Sequence, residues 1–125
     1  MDDVTCVVLN YNYGRFLLEC LRSIENQSYN DLSILLIDDN STDESLGVID
    51  LWLETTDIKA RVIRKPSNCG VAHSYNIARN LVTSKFITFV DSDDRLLPDK
   101  TQRQVDAFTD AKNVVAVYSD VLRFG

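Results

Sequence analysis

Residues 4–24 read VTCVVLNYNYGRFLLECLRSI. Val4 to Leu9 is a nearly unbroken apolar run, the pattern of a strand covered on both faces. From Phe16 to Gln27 the period changes: Leu17, Cys20, Leu21 and Ile24 recur at i, i+3, i+4 and i+7, one stripe of a helix. Between the two lies a polar turn, Asn10-Tyr11-Asn12. The same strand-then-helix unit recurs downstream. Leu32 to Ile37 (LSILLI) is a second buried strand, Ser41-Thr42-Asp43-Glu44 offers helix-start chemistry, and Leu46, Ile49 and Leu53 continue a helical face. Lys59 to Arg64 (KARVIR) alternates as a strand, residues 66–70 (PSNCG) form a loop, and Val71 to Val82 is helical. Phe86 to Val90 (FITFV) is another buried strand, Pro98-Asp99 opens a helix carrying Val105 and Phe108, and Val114 to Tyr118 is expected to close the series as a strand. Such alternation predicts an α/β sandwich with a mainly parallel sheet and right-handed crossovers. No linker, repeat or low-complexity tract divides it, so residues 1–125 are expected to form one domain.

Composition narrows the function. Of 125 residues 45% are apolar and 26% charged, a globular balance rather than a disordered one. The formal net charge of -6 argues against a general nucleic-acid binder and favours a site that recruits a cation. No apolar run approaches the ~18 residues of a membrane span, and no basic-then-apolar leader opens the chain. The three cysteines, Cys6, Cys20 and Cys69, are odd in number and far apart; they read as reduced thiols, with a cytoplasmic setting expected. Four glycines in all, with neither GxGxxG nor GxxxxGK[ST], exclude a glycine-rich phosphate cradle.

In an open α/β sheet ligands bind beyond the carboxyl ends of the strands, so the polar residues there matter most. They are Asn10-Tyr11-Asn12 after the first strand, Asp38-Asp39-Asn40-Ser41 after the second, and Asp91-Ser92-Asp93-Asp94 after the fourth. Fifteen of the nineteen acids are Asp, and five of these sit in the last two clusters. Crowded carboxylates raise one another's pKa unless something compensates. A hard divalent cation, Mg²⁺ or Mn²⁺, is the simplest compensation. On an extended segment, Asp91 and Asp93 would point to the same side and reach one ion together. Helix capping and turn filling are the alternative for any aspartate, and the preferred one for Asp43 and Asp99. Tyr11 is open to edge packing or to ligand stacking; beside Asp39, a flat ring and a carboxylate would seat a nucleobase. His73 is expected to be solvated or capping, and Cys69 has no adjacent base to activate it.

These residues, in this order, resemble family 2 glycosyltransferases of the GT-A fold, a Rossmann-like three-layer α/β/α sandwich. The matching segments are VVLNYNYGRFLLECLRSIENQSY, ILLIDDNSTDESL, VIRKPSNCGVAHSYNIARN and KFITFVDSDDRLLPDK. The resemblance implies that Tyr11, beside Asn10, stacks on the base of a nucleoside-diphosphate sugar, most typically uracil, and that Asp39 hydrogen-bonds it. It implies that Asp91, with Ser92, lies against the ribose and diphosphate, and that Asp93 reaches the metal. Gly70 and Asn76 match the family's NxGxxxARN segment, whereas Tyr75 stands where the family has arginine, and Leu9-Asn10 replaces the commoner Pro-Thr. The implied chemistry is inverting displacement at the sugar C1, with Mg²⁺ or Mn²⁺ offsetting charge on the leaving diphosphate and a carboxylate taking the acceptor hydroxyl's proton. The implied acceptor is a glycan or a lipid-linked saccharide. In the family that base lies beyond the nucleotide-binding half, so the chain is expected to be the donor portion of a longer protein, for which a place at the membrane is compatible with the resemblance. Within this sequence Asp120 is the one weak candidate for the base.

Two other classes compete. A non-catalytic nucleotide-sugar-binding domain would carry the same donor site. A phosphorylation-dependent receiver module is also α/β with acidic strand ends, but needs a lysine after a later strand, and Lys85 precedes its strand.

Overall fold

The computed structural model describes residues 3–124. Met1, Asp2 and Gly125 lie outside the described residues. Four strands, β1 (Val4–Asn10), β2 (Leu32–Asp38), β3 (Ala60–Arg64) and β4 (Phe86–Asp91), alternate with helices α1 (Gly14–Glu25), α2 (Ser45–Thr55), α3 (Val71–Leu81) and α4 (Lys100–Asp110). All strand pairings are parallel, in the order β3-β2-β1-β4.

Strand side chains alternate between two faces, and each face has its own cover. Val4, Cys6 and Val8 of β1 join Ile34 and Leu36 of β2 against Leu17, Leu21 and Ile24 of α1, Ile49 and Trp52 of α2, and Val105 of α4. Val7, Leu9, Leu35 and Ile37 face the other way, onto Ala78, Ile77 and Leu81 of α3. Three layers result, with the central strands β1 and β2 buried on both sides, as their unbroken apolar runs require.

The topology decides where the site lies. From β1 to β3 the chain steps outward in one direction through α1 and α2. It then returns through α3, on the opposite face, to lay β4 along the other edge of β1. The crossover direction therefore reverses between β1 and β4, and a crevice opens at the carboxyl ends of those strands. The ladder fixes the levels: Asn10 is paired with Asp38, and Leu9 with Asp91.

One local expectation needs correction. The segment Val114–Tyr118 is not a strand: residues 114–124 have no regular structure, and Val115 is 95% and Tyr118 93% exposed. An apolar alternation becomes a strand only against a partner, and none of the four described strands pairs with this segment. The second helix begins at Ser45, directly after the start signal Ser41-Thr42-Asp43-Glu44. Ser41 is occupied elsewhere, its N–H and Oγ–H both donating to Asp38. Asp43 does the capping work, taking the Ser45 N–H on one oxygen and the Gly14 N–H on the other, at 2.9 Å each. Gly14 opens α1 because a Cβ there would stand 2.9 Å from the Ser45 backbone nitrogen.

Candidate functional site

A cleft of about 260 Å³ lies at the carboxyl edge of the sheet. Asn10, Tyr11 and Tyr13 enter it from the end of β1, Asp39 from β2, Asp91 and Asp93 from β4, and Val71 and Ser74 from the start of α3. Residues as far apart in sequence as Leu9 and Asp93 meet there because the parallel register ends every strand at one level.

The floor is a connected polar network. Asp38 is fully buried and accepts three hydrogen bonds, from Asn10 Nδ2 at 2.8 Å, the Ser41 N–H at 2.8 Å and Ser41 Oγ at 2.6 Å. Ser41 Oγ in turn accepts the Asn12 N–H at 3.0 Å. Asn12 Oδ1 accepts the N–H groups of Thr42 and Asp43, so the loops after β1 and β2 are laced together. Both loops turn through positive φ, at Asn12 (55°) and Asn40 (62°), which asparagine tolerates better than most side chains. Asn10 Oδ1, buried at the edge of the cleft, has no hydrogen-bond partner among the described residues.

Asp39 sits one residue above the floor and is held differently. Its Oδ1 accepts from Lys65 Nζ and from the Cys69 N–H, both at 2.9 Å, and its Oδ2 from the Gly70 N–H at 2.9 Å. A carboxylate oxygen accepts about two hydrogen bonds in its plane, so Oδ2 keeps one acceptor position open. Burial alone would raise the Asp39 pKa. The N–H groups of Cys69 and Gly70 and the Lys65 ammonium outweigh it and hold the carboxyl below its ordinary value. Tyr11, 44% exposed, presents its ring to the same cleft.

The third corner is the turn that ends β4. The Asp94 N–H closes onto the Asp91 carbonyl at 2.9 Å, and the chain folds back. Carboxylate oxygens of Asp91, Asp93 and Asp94 lie within 4.8 Å of one another. A turn rather than strand alternation brings them together, and it adds Asp94 to the expected pair. Burial, and then the neighbouring carboxylates, push the pKa of Asp91 and of Asp94 up. Beneath them the Cys20 thiol, 3.7 Å from the Asp91 carbonyl, is pushed up to about 12, by burial first and by these carboxylates next. Three exposed, mutually repelling oxygen donors with nothing softer among them fit a hard divalent cation.

Other expected residues fall outside the cleft. Ser92 is buried, its N–H donating to the Leu9 carbonyl and its Oγ without a partner among the described residues. Asn76 is exposed on α3 and does not line the cleft. Tyr75 packs edge-on against Phe89, with centroids 4.8 Å apart. His73 is exposed at the start of α3, and Asp120 is exposed in the irregular segment away from the cleft. Gly70 caps α3 with φ 84° and ψ 173°, a conformation almost restricted to glycine. Asp38 and Ser41 belong to the cluster expected after β2 and form the floor, whereas Lys65 is not singled out by sequence reading. A lysine directly after a strand, followed by proline, was the available signal.

Residues 5–124 match the sequence model of Glycosyl transferase family 2. The chain belongs to that family. Its curated relatives include glycosyltransferase GlyG of Streptococcus pneumoniae, 36% identical over 91 residues, which cover 73% of this chain and 30% of the relative. Another is the teichoic acid poly(glycerol phosphate) polymerase of Staphylococcus epidermidis, 30% identical over 116 residues, 93% of this chain and 16% of the relative. The fold is that of GT-A glycosyltransferases. S. aureus TarS 1-349 in complex with UDP superposes with a TM-score of 0.75 at 26% identity, over 86% of this chain and 32% of that one. The mannosyltransferase PcManGT of Pyrobaculum calidifontis, in complex with GDP-Man and Mn²⁺, superposes at 0.80 with 25% identity, over 89% of this chain and 33% of that one. The chain thus spans a third or less of the length of each of these proteins. No helix among the described residues is long and apolar enough to cross a membrane, and all three cysteines are free thiols.

Proposed function

We propose that this family 2 chain is the donor-binding domain of an inverting glycosyltransferase, taking a nucleoside-diphosphate sugar, a UDP-sugar first, together with Mg²⁺ or Mn²⁺. The observation that carries this reading is the convergence of Tyr11, Asp39, Asp91 and Asp93 on one cleft at the switch point of the sheet. The UDP and GDP-Man complexes of the structural neighbours support it.

Tyr11 offers a ring face to the base, and Asp39 Oδ2 offers its open acceptor position to a base N–H. Asp91 and Asp93, with Asp94, would hold the cation. When bound, that cation supplies Lewis-acid charge stabilisation at the diphosphate. Their own contribution is positional: the turn gathers the carboxylates where a bare diphosphate would be repelled, which makes donor binding tighter with the metal than without it. Buried Asn10 and Asp38 keep the first two loops in register beneath the donor. Asp120 does not line the cleft, and a base from further polypeptide, acting on a glycan or lipid-linked hydroxyl, is part of the proposal.

Thermal melting with UDP, GDP and CDP, each with and without Mn²⁺, tests the reading. UDP with Mn²⁺ at ~100 times its dissociation constant should stabilise the chain by about 2.7 kcal/mol. Equal shifts with and without metal would refute the metal-assisted donor site. A non-catalytic binding domain would give the same melting result, and differs only in lacking transfer by the longer protein.

A further inference from the structure

We propose that Lys65 is a positioning residue for base selection: by holding Asp39 as an acceptor-only carboxylate, it sets a preference for a base that donates a ring N3–H, uracil over cytosine. This inference rests on the donor-site reading above.

Lys65 follows β3 directly and its side chain is 2% exposed, so its ammonium cannot serve as a phosphate-binding arm in the cleft. It is committed below the surface, donating to Asp39 Oδ1 at 2.9 Å and to the Gly70 carbonyl at 3.3 Å. Gly70 is therefore gripped at both ends: its N–H donates to Asp39 Oδ2, and its carbonyl accepts from Lys65. One ion pair fixes the base acceptor and also the start of α3, whose Val71 and Ser74 line the cleft.

The other ionisable side chains around Asp39 do not substitute for it. Tyr11, Asp91 and Asp93 line the same cleft, Cys69 contributes only its backbone N–H, and His73 is exposed on α3. Lys65 is the cation in contact with the carboxylate. Without that charge, a carboxylate in a buried setting takes up a proton more readily. A protonated Asp39 offers an O–H, which suits the bare N3 of cytosine, where the ionised form suits the N3–H of uracil. The two bases differ in this donor pattern, so the Lys65 charge acts as a selector rather than as a general anchor.

The test is calorimetry of UDP and CDP with Mg²⁺ at pH 7.5, on the wild-type chain and on Lys65→Met, Lys65→Arg and Asp39→Asn. Comparing the two nucleotides cancels the shared diphosphate. Lys65→Met should reduce the UDP-over-CDP preference by about tenfold, the worth of one hydrogen bond to a charged group, and Lys65→Arg should restore most of it. Should Lys65→Met fail to fold, Lys65→Gln keeps a donor and removes the charge, and carries the same expectation. Equal weakening of both nucleotides would make Lys65 merely structural and overturn the proposal. An unchanged preference in Lys65→Met beside an altered one in Asp39→Asn would overturn it while sparing the donor site. An unchanged preference in Asp39→Asn would place the base elsewhere and remove both.

Discussion

The side-chain amide of Asn10 donates to Asp38 Oδ1 at 2.8 Å, tying the carboxyl end of β1 to that of β2 directly under the cleft. Asp38 is fully buried, and its other two hydrogen bonds hold Ser41. Asp38→Ala would leave the Ser41 N–H without an acceptor and the Asn10 amide with only its longer bond, 3.3 Å, to Ser41 Oγ. A loss of about 3 kcal/mol is expected, at one to three per orphaned group. Urea unfolding followed by the fluorescence of Trp52, the chain's one tryptophan, measures it. A loss well under ~1 kcal/mol would mean that water replaces Asp38 and that the floor is not a connected network.

Gly70 illustrates a requirement of backbone rather than of space. A Cβ there would meet nothing within 4 Å, yet φ 84° with ψ 173° is strained for any L side chain. Gly70→Ala should cost about 1–3 kcal/mol and weaken nucleotide binding, because the Gly70 N–H would leave Asp39 Oδ2. Gly47→Ala, at an exposed position inside α2 with equally open space, should instead stabilise by about 0.4–1 kcal/mol. Equal effects at the two positions would contradict the conformational argument.

Asp93 carries the metal dependence. Asp93→Ala removes one carboxylate from an exposed cluster whose members repel one another, so the metal-free melt should stay cooperative, within about 0.5 kcal/mol of wild type. The additional stabilisation that Mn²⁺ gives to the UDP complex should disappear. If the variant loses its cooperative melt, the role of Asp93 is structural.

Acid should dismantle the fold from its paired carboxylates. For Glu25, burial would raise the pKa, but hydrogen bonds from Thr56, Arg22 and Trp52 pull it below its ordinary 4.5; Asp39 and Asp43 likewise lie below 3.8. A depressed folded-state pKa gives stability that is complete above the unfolded value and is lost as pH falls through the folded one. Asp91 and Asp94 act with the opposite sign: their raised values cost stability as pH rises above 3.8, a cost that bound metal removes. The urea midpoint of the metal-loaded chain should hold from pH 7 to about 5 and fall below about 4. Glu25 accepts the Trp52 indole N–H at 2.7 Å, so tryptophan fluorescence reports the change. A midpoint unchanged at pH 3 would contradict these pairings.

The sequence made the central architecture legible because β1 and β2 are buried on both faces and leave unbroken apolar runs. The helices announced themselves through Leu17, Cys20, Leu21 and Ile24 in α1 and Val105 in α4, all buried. Val114–Tyr118 misled because alternation records a preference, whereas a strand also needs an edge to pair with. The cleft residues Tyr11, Asp39, Asp91 and Asp93 were readable from strand ends alone, since parallel strands finish together. Lys65 was not, because its partner lies 26 residues away and its one local mark, a place directly after a strand and before proline, does not reveal that partner. Asp94 was hidden for a related reason: the turn that folds it back toward Asp91 is set by a backbone hydrogen bond, not by spacing.

The central claim is that the ends of β1, β2 and β4 form one donor site, and amide chemical-shift mapping tests it most directly. In a ¹⁵N-labelled chain titrated with UDP, the amides of Tyr11, Cys69 and Gly70 should shift together, and those of Asp93 and Asp94 should join them once Mg²⁺ is added. Shifts gathered instead around Glu25, Tyr29 and Ile58, which line a second groove elsewhere on the molecule, or no shifts at saturating UDP and Mg²⁺, would contradict it.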